Sequence, residues 1–324
     1  MRRTVLACFL VIIGVMHAAA ANQRLVLYTS QPNTDAQQTV DAFTALHPDI
    51  HVDWVRDGTP RIIAKLRAEI EAGQPQPDVL LIADIVTMEG LKSEGKLQPY
   101  PEADISAFDT TVMDPDHSYF STKLITTGLV YNTKAPLKPR TWQSLLDPAM
   151  QGQIIMPSPL GSGAAMIHVL SLVANLPGGW DYIGKLSSNG LLANGGNGDV
   201  LKAVAGGDKL YGMIVDYMAI REKQKGAPIE FVFPEEGTSA VTEPVAILKS
   251  AKNAEAARLF VDFLLSREGQ QLEVRQGYIP ARNDVALPPG YPARSSIKIL
   301  GFDTKKALTE EASNRARFSD LMDR

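Results

Sequence analysis

The chain has 324 residues, of which 45% are hydrophobic and 21% charged, and its formal net charge is −4 at pH 7. This composition is typical of a globular protein, and the length is sufficient for two domains. An acidic chain without a basic tract binds nucleic acid poorly, so the composition excludes that class of function.

Residues 1–20 predict a secretory signal peptide. Two arginines precede the apolar run Leu6–Met16, which is too short to span a bilayer, and the small residues of His17–Ala21 fit a cleavage site near Ala20. A lipoprotein is the alternative, because the residues up to Cys8 resemble a lipobox, although Cys8 stands very early in the chain. Cys8 is the only cysteine, so we expect a periplasmic protein that folds without disulfides.

Apolar patterns predict strands and helices in turn along the first hundred residues. Val79–Ile82 is short and wholly apolar, which is typical of a buried parallel strand. Thr59 followed by Pro60 is typical of a helix start, with Thr59 as the N-cap. In chain order, the patterns predict strands at Leu25–Tyr28, His51–Val55 and Val79–Ile82, and helices at Thr34–Leu46, from Thr59 to Ile70 and at Ile85–Glu94.

This alternation predicts an open, mostly parallel sheet with helices on both of its faces. Ligands of such sheets bind beyond the carboxyl ends of the strands, where the helices begin. The strand ends of this first unit carry Ser30, Thr59 and Asp84, so we expect these three residues in a binding site.

The pattern begins again after Tyr119 and predicts a second α/β unit. The chain is expected to pass to this unit near Thr122–Thr127 and to return near Pro234–Ser239, and two such crossings make a hinge. The predicted fold class is therefore α/β, with two lobes of mixed, mostly parallel sheets joined by a two-crossover hinge. The second part is predicted to hold strands at Leu129–Asn132, Ile154–Ile155, Tyr211–Val215, Pro228–Phe233 and Pro244–Leu248, and helices at Thr141–Leu146, Ala164–Val173, Val200–Ala205, Tyr217–Lys223, Ala254–Leu265 and Arg267–Arg275.

Several segments together carry a family resemblance. They are LYTSQ at 27–31, PDVLL at 77–81, TGLVYNT at 127–133, TWQSLLDPAMQGQI at 141–154, the segment 243–270 and QGYIPAR at 276–282. In this order and spacing they resemble the periplasmic solute-binding proteins of ABC importers, in the branch often labelled ferric-iron binding. The resemblance implies the type II periplasmic binding protein fold, with the ligand between two lobes. Residues 21–122 and 235–275 would form lobe 1, and residues 123–234 and 276–324 would form lobe 2.

Helix starts predict the chemistry of the ligand. A helix N-terminus offers unpaired N–H groups and about half a positive charge, which suits a phosphate, phosphonate or carboxylate. We expect three such helix starts to face one cleft. The first is at Thr59, the second at Ser162 and Gly163, with Ser158 just before them, and the third at Asn197. Each of them also has a simpler interpretation as ordinary turn and cap chemistry.

Asp216 and Tyr217 follow a predicted strand and are expected to contact the other end of the ligand. A carboxylate there pairs with an ammonium group or accepts sugar hydroxyls, and the tyrosine stacks or donates its hydroxyl. We therefore expect a small anionic ligand of the organic phosphate or phosphonate type. Thiamine-like cations, polyamines and other carboxylates remain as alternatives.

The resemblance implies a second hypothesis, a ferric-iron carrier. Ferric members of the branch commonly hold the metal with two adjacent tyrosines, often helped by a histidine and a carboxylate, and hard oxygen ligands suit Fe(III). Tyr217 has no adjacent tyrosine here, and Pro32 stands where the histidine would be. Tyr217 and Asp84 would remain as ligands, with a carried anion completing the shell.

A secreted hydrolase with Ser162 as nucleophile is the alternative from another class. The motif G-x-S-x-G is absent around Ser162, and His168 lies a turn and a half along the same predicted helix among apolar residues. We expect no catalysis and no cofactor. The expected partners are the anionic ligand and the membrane permease of an importer, which the protein would serve as a monomer. Lys123, at the first crossing, either reaches the cleft or is solvated.

Overall fold

The computed structural model describes residues 23–109 and 113–323 of the chain. The predicted signal peptide and Cys8 lie outside these residues. Within them, no helix combines the length and the apolar character that crossing a membrane requires.

The described residues form strands β1 to β13, helices α1 to α11 and short 3-10 turns. The strands are β1 (Gln23–Thr29), β2 (Ile50–Arg56), β3 (Val79–Leu81), β4 (Leu97–Gln98), β5 (Phe120–Ser121), β6 (Lys123–Asn132), β7 (Ile154–Met156), β8 (Leu192–Ala193), β9 (Tyr211–Val215), β10 (Ile229–Val232), β11 (Ser239–Val241), β12 (Pro244–Leu248) and β13 (Ile279–Pro280). The helices are α1 (Asn33–Leu46), α2 (Thr59–Glu71), α3 (Ile85–Ser93), α4 (Gly163–Asn175), α5 (Trp180–Ser188), α6 (Asn197–Gly206), α7 (Asp216–Gln224), α8 (Ala254–Leu265), α9 (Arg267–Arg275), α10 (Thr304–Thr309) and α11 (Glu311–Met322).

The first sheet has the strand order β2-β1-β3-β12-β4, with β5 beside β12. β1 is parallel to β2 and β3, whereas β12 is antiparallel to β3, β4 and β5. Because successive side chains of a strand point to opposite faces, Leu25 and Leu27 pack against α1 and α8, and Tyr28 packs against α2 and α3. Helices therefore cover both faces of this sheet, as the sequence predicts.

The second sheet has the order β10-β6-β9-β7-β8, and β11 and β13 also pair with β6. β7 is parallel to β8 and β9, but β6 is antiparallel to all four of its partners. Two mixed α/β sheets confirm the predicted fold class, with more antiparallel pairing than the expectation of mostly parallel sheets allows. The reason is that β6 and β12 enter their sheets directly from the hinge, without the long crossover that a parallel neighbour requires.

Two short passages join the sheets. β5 ends at Ser121 and β6 begins at Lys123, which agrees with the predicted first crossing. The return passage lies at Thr242 and Glu243, later than predicted, because Ser239–Val241 still pairs with β6. The assignment of every residue to one of the two lobes stays a prediction. Below, the first lobe means the elements packed on the first sheet, and the second lobe those packed on the second.

Candidate functional site

A cleft of about 610 Å³ opens between the lobes, beyond the carboxyl ends of β1 and β2. Residues of both lobes and of the return passage line it. The cleft therefore lies where the strand order of the first lobe predicts a ligand site. Seven of the predicted site residues line this cleft, namely Ser30, Thr59, Ser158, Ser162, Gly163, Asn197 and Tyr217, whereas Asp84 and Asp216 are not among its lining residues.

The two lobes touch each other along one side of the cleft, so the structure is a closed form. A Cβ atom on Gly58, in the first lobe, would lie 3.2 Å from the carbonyl oxygen of Gly161 in the second. A Cβ atom on Gly163 would lie 2.9 Å from Asp84 Oδ2. Glycine at these two positions permits the close approach of the lobes, because larger residues would meet backbone or a fixed side chain.

Three helix N-termini converge on the cleft. They belong to α2, whose N-cap is Gly58 and not the predicted Thr59, to α4, whose N-cap is Ser162, and to α6, whose N-cap is Gly196. Each cap residue and the residue after it line the cleft. The first amides of a helix have no intrahelical acceptor, and the helix dipole places partial positive charge beside them. The arrangement can therefore bind an anion without a buried basic side chain.

Three serine hydroxyls add donors to this surface. The hydroxyl oxygens of Ser30, Ser158 and Ser162 accept hydrogen bonds from the amides of Ala83, Leu160 and Ala165, at 2.8, 3.3 and 3.4 Å. Since a hydroxyl group can accept and donate at once, each keeps its proton for a ligand oxygen. The local backbone thus fixes the direction of each serine while leaving a donor available.

Ser162 acts as a helix cap, and its hydroxyl oxygen accepts from the Ala165 amide. His168, the nearest histidine along the chain, is buried, and its ring contacts Ser239 Oγ at 2.9 Å and Met213 Sδ at 3.4 Å. Burial lowers the pKa of His168 to about 3, so the ring stays neutral in the core. This geometry does not form the nucleophile and base pair that the hydrolase hypothesis requires.

Asp84 caps a helix and does not face the cleft. Its Oδ1 accepts from the amides of Val86 and Thr87, at 3.0 and 3.2 Å, and its Oδ2 accepts from the Thr87 hydroxyl at 2.7 Å. Desolvation raises the pKa of Asp84 in spite of these bonds. Asp84 lines a neighbouring, smaller cavity of about 270 Å³. The first turn of α3 therefore uses the carboxylate oxygens of Asp84, so Asp84 is a poor candidate for the metal ligand of the iron hypothesis.

Asp216 is fully buried beneath the cleft. Its Oδ2 accepts from the Thr126 hydroxyl at 2.6 Å and from the Thr126 amide at 3.2 Å, and its Oδ1 accepts from the Tyr217 amide at 2.6 Å. Desolvation raises its pKa to about 7. The expectation that Asp216 contacts the ligand is therefore corrected, because its carboxylate fastens α7 to β6.

Tyr217, next to it, does line the cleft, and burial raises the pKa of its hydroxyl above the ordinary range. A tyrosine that binds Fe(III) does so as the phenolate. Toward a ligand other than a metal ion, these surroundings favour the neutral phenol, which can stack on the ligand or donate a hydrogen bond.

We expect Asp216→Asn to flatten the pH dependence of stability. The folded pKa of Asp216, about 7, lies above that of an unfolded aspartate, so its contribution is fully present below about pH 4 and is lost as pH rises through 7. Relative to the variant, the wild type should lose on the order of 3 kcal/mol of unfolding free energy between pH 4 and 8. Asparagine also loses one acceptor, so the prediction concerns the slope of stability with pH and not its absolute value.

Thermal unfolding from pH 4 to pH 8 measures this difference in slope. Parallel curves for the two proteins would show that Asp216 does not titrate in this range.

Glu243 is a lining residue that no sequence pattern indicates. It lies in the return passage, only 2% exposed, with a φ of +36°, which is unusual for a residue other than glycine. Its Oε2 lies 2.6 Å from Nζ of Lys123, which lies 2.7 Å from Glu273 Oε2 on its other side. Lys123 is fully buried between these carboxylates and neither lines the cleft nor is solvated. Strained backbone of this kind is often found at functional sites.

Two arginines stand at the mouth of the cleft. Arg56 and Arg61 are exposed lining residues, and their Nε atoms donate to Gln31 O at 2.8 Å and to Asp57 Oδ1 at 2.6 Å. Both guanidinium groups keep further N–H donors. Positive charge therefore lies at the entrance, on the side of the α2 N-terminus. The acidic lining residues are Glu243 in the return passage and Asp199, whose Oδ2 accepts from the Gly196 amide at 2.7 Å at the start of α6.

Among residues 23–109 and 113–323, no three His, Cys, Asp or Glu side chains gather closely enough to hold a metal ion. Tyr217 and Asp84 are the two ligands that the iron hypothesis names, and only the first of them lines the cleft.

Known proteins share this architecture. In sequence, the chain is 24% identical over 266 residues to a Salmonella typhimurium protein named for the binding of 2-aminoethylphosphonate, covering 78% of this chain and 76% of that one. The structure of the periplasmic binding protein AfuA of Actinobacillus pleuropneumoniae, with exogenous fructose-6-phosphate bound, matches with a TM-score of 0.84 and 26% identity, over 93% of this chain and 99% of AfuA. Iron-bound HitA of Pseudomonas aeruginosa matches with a TM-score of 0.79 over 92% of this chain and 99% of HitA, and its 22% identity speaks to the fold alone.

A family model covers the second sheet, the first sheet from β3 onward and most of the residues that line the cleft. The model of the bacterial extracellular solute-binding proteins matches residues 74–307, more than two thirds of the chain. A solute-binding protein needs a cleft between two lobes, and this is the geometry described above. The chain therefore belongs to the bacterial extracellular solute-binding protein family and acts as a binding protein, not as an enzyme.

Proposed function

We propose that the protein is the periplasmic, monomeric binding component of an ABC importer and that it carries a sugar phosphate. The observation that carries this proposal is the convergence of three helix N-termini and three serine hydroxyls on one cleft. A phosphate group offers several oxygens that accept hydrogen bonds at once, so it uses many donors within a small space. The match to AfuA with fructose-6-phosphate supports the same class of ligand.

The distribution of charge around the cleft predicts the orientation of the bound ligand. Glu243 lies at the return passage, and an anionic group near its carboxylate would be repelled. The carboxylate of Asp199 would repel an anion at the start of α6 in the same way. The phosphate should therefore lie against the starts of α2 and α4, and the uncharged end of the ligand should lie near Glu243 and Tyr217. A carboxylate accepts two sugar hydroxyls well, and a phenol ring offers an apolar face to the sugar.

An aminoalkylphosphonate is the second candidate, because Glu243 would pair equally well with an ammonium group. The Salmonella typhimurium relative named for 2-aminoethylphosphonate supports this candidate. The two classes differ in what they require of Glu243. A hydroxyl group needs an acceptor, which an amide oxygen still provides, whereas an ammonium group needs a compensating negative charge.

Titration calorimetry of the wild type and of Glu243→Gln with glucose 6-phosphate, glucose, inorganic phosphate and 2-aminoethylphosphonate tests the proposal. We expect the wild type to bind glucose 6-phosphate at least tenfold more tightly than inorganic phosphate and to leave glucose unbound. The variant should keep its affinity for glucose 6-phosphate to within about tenfold, because the amide oxygen still accepts from a sugar hydroxyl. The wild type could instead bind 2-aminoethylphosphonate more tightly than glucose 6-phosphate, with no binding of it by the variant. That result would identify an aminophosphonate, and not a sugar phosphate, as the ligand.

A further inference from the structure

Side chains from both lobes form an ion pair behind the cleft. Arg221 Nη2 lies 2.9 Å from Asp35 Oδ2, and Nη1 lies 3.3 Å from Asp35 Oδ1, a bidentate arrangement. Asp35 belongs to α1, whose Phe43 packs in the core of the first lobe, and Arg221 belongs to α7, whose Ala219 packs in the core of the second. The pair therefore joins the two bodies whose separation opens the cleft.

Two residues of the segment between α9 and β13 also bind Asp35. Its side chain is 4% exposed, and its Oδ2 also accepts a hydrogen bond of 2.5 Å from the Tyr278 hydroxyl. Its carbonyl oxygen accepts from Gln276 Nε2 at 3.0 Å. A carboxylate with fixed partners presents a fixed geometry to the planar guanidinium group, which a lysine ammonium group does not match.

The guanidinium group of Arg221 also packs against the ring of a tyrosine that lines the cleft. Its central carbon lies 4.6 Å from the ring centroid of Tyr217 and 5.0 Å from that of Tyr278, and the two rings are 4.3 Å apart. Tyr217 lines the cleft, whereas Asp35 and Arg221 do not. Stacking against a guanidinium group stabilises one orientation of a tyrosine ring. The position of Tyr217 therefore depends on an arginine that a carboxylate of the opposite lobe holds in place.

We propose that Asp35 and Arg221 form an interlobe lock, which favours the closed form with or without ligand and aligns Tyr217 for it. Both are positioning residues, because neither contacts the ligand space. The expected loss of affinity rests on the proposed ligand class. The expected opening of the unliganded protein does not, because the ion pair joins the lobes whether or not a ligand is bound.

Asp35→Asn, Arg221→Gln and the double variant test the lock by small-angle X-ray scattering without ligand and by calorimetry with glucose 6-phosphate. We expect each single variant to have a larger radius of gyration than the wild type and an affinity about tenfold lower. The double variant should be no worse than either single one, because the same contact is already lost. Arg221→Gln keeps the buried carboxylate, and so remains informative should Asp35→Asn fold poorly.

Arg67 and Glu94 provide a matched control, since they form a bidentate pair of 2.9 and 3.1 Å within the first lobe. Arg67→Gln should change neither the radius nor the affinity. Equal radii for the wild type and Arg221→Gln would overturn the lock, whether or not glucose 6-phosphate binds. A failure of the wild type to bind glucose 6-phosphate, together with a larger radius for the variants, would overturn the proposed ligand and leave the lock standing.

Discussion

Replacing Gly163 by alanine is expected to weaken the binding of glucose 6-phosphate by about 10- to 100-fold, because the added methyl group keeps the lobes apart. Its Cβ would lie 2.9 Å from Oδ2 and 3.0 Å from Cβ of Asp84 in the opposite lobe. Asp84 has little freedom to move away, since the amides of Val86 and Thr87 hold its carboxylate. Calorimetry measures the loss of affinity.

The same substitution should lower the unfolding temperature of the unliganded protein only slightly. Gly163 is the first residue of α4, where alanine is a good helix former, and the lobes can relieve the clash by opening, at the cost of interlobe contacts alone. Gly206→Ala is the matched control, because a Cβ there would make only an ordinary contact of 3.9 Å, at the far end of α6 from the cleft. Unchanged affinity in Gly163→Ala would mean that the ligand binds without this closure.

Replacing Lys123 by methionine is expected to destabilise the protein by about 3–5 kcal/mol at neutral pH. Methionine fills a similar volume but leaves the carboxylates of Glu243 and Glu273, each 2% exposed, without their shared cation. The cost arises because two buried negative charges then face each other across the hinge. Urea unfolding at pH 7 measures the free energy.

The pH dependence of this variant has a defined sign. Burial already raises the pKa of Glu273 to about 7, against the opposing effect of Lys123, and losing the lysine should raise it further. A carboxyl group with a raised folded pKa contributes stability that is present at low pH and lost as pH rises through that pKa.

Lys123→Met should therefore be closest to the wild type near pH 5 and furthest from it near pH 8. Adding Glu273→Gln should restore much of the loss at pH 8. An unchanged deficit across this range, with no rescue, would contradict the assignment of Lys123 as the cation between two charged groups.

The sequence predicts the part of the site that local patterns specify. Strand and helix alternation indicates where β1 and β2 end, and the structure places Ser30 and Thr59 there, at the cleft. The cap residue Ser162 marks the start of α4 in the same way. These features depend on residues close together in the chain, so periodicity and capping rules predict them.

Contacts between distant segments are what the sequence patterns do not reveal. Asp216 looks like a cleft residue because it follows a strand, but its partner Thr126 lies 90 positions earlier on β6. Glu243 and Lys123 meet only because the two passages of the hinge lie side by side. No local sequence pattern predicts this contact. The one local feature of Glu243 is its position immediately before Pro244, the first residue of β12.

The sequence does not predict the two C-terminal helices, for a different reason. α11 carries mostly polar residues, of which only Asn314 and Phe318 are buried, so its sequence lacks an apolar stripe. α10 is six residues long and buries Ala307 alone. Short or polar helices of this kind depend on packing against the rest of the protein, which periodicity does not indicate.

A thermal-shift measurement with glucose 6-phosphate, 2-aminoethylphosphonate, inorganic phosphate and ferric citrate tests the central claim most directly. A ligand at one hundred times its dissociation constant stabilises the folded protein by about 2.7 kcal/mol, which is a readable shift. We expect the largest shift with glucose 6-phosphate, and a smaller one in Gly163→Ala at the same concentration. A shift with ferric citrate alone, accompanied by the colour of an iron tyrosinate, would contradict the account and make Tyr217 a metal ligand.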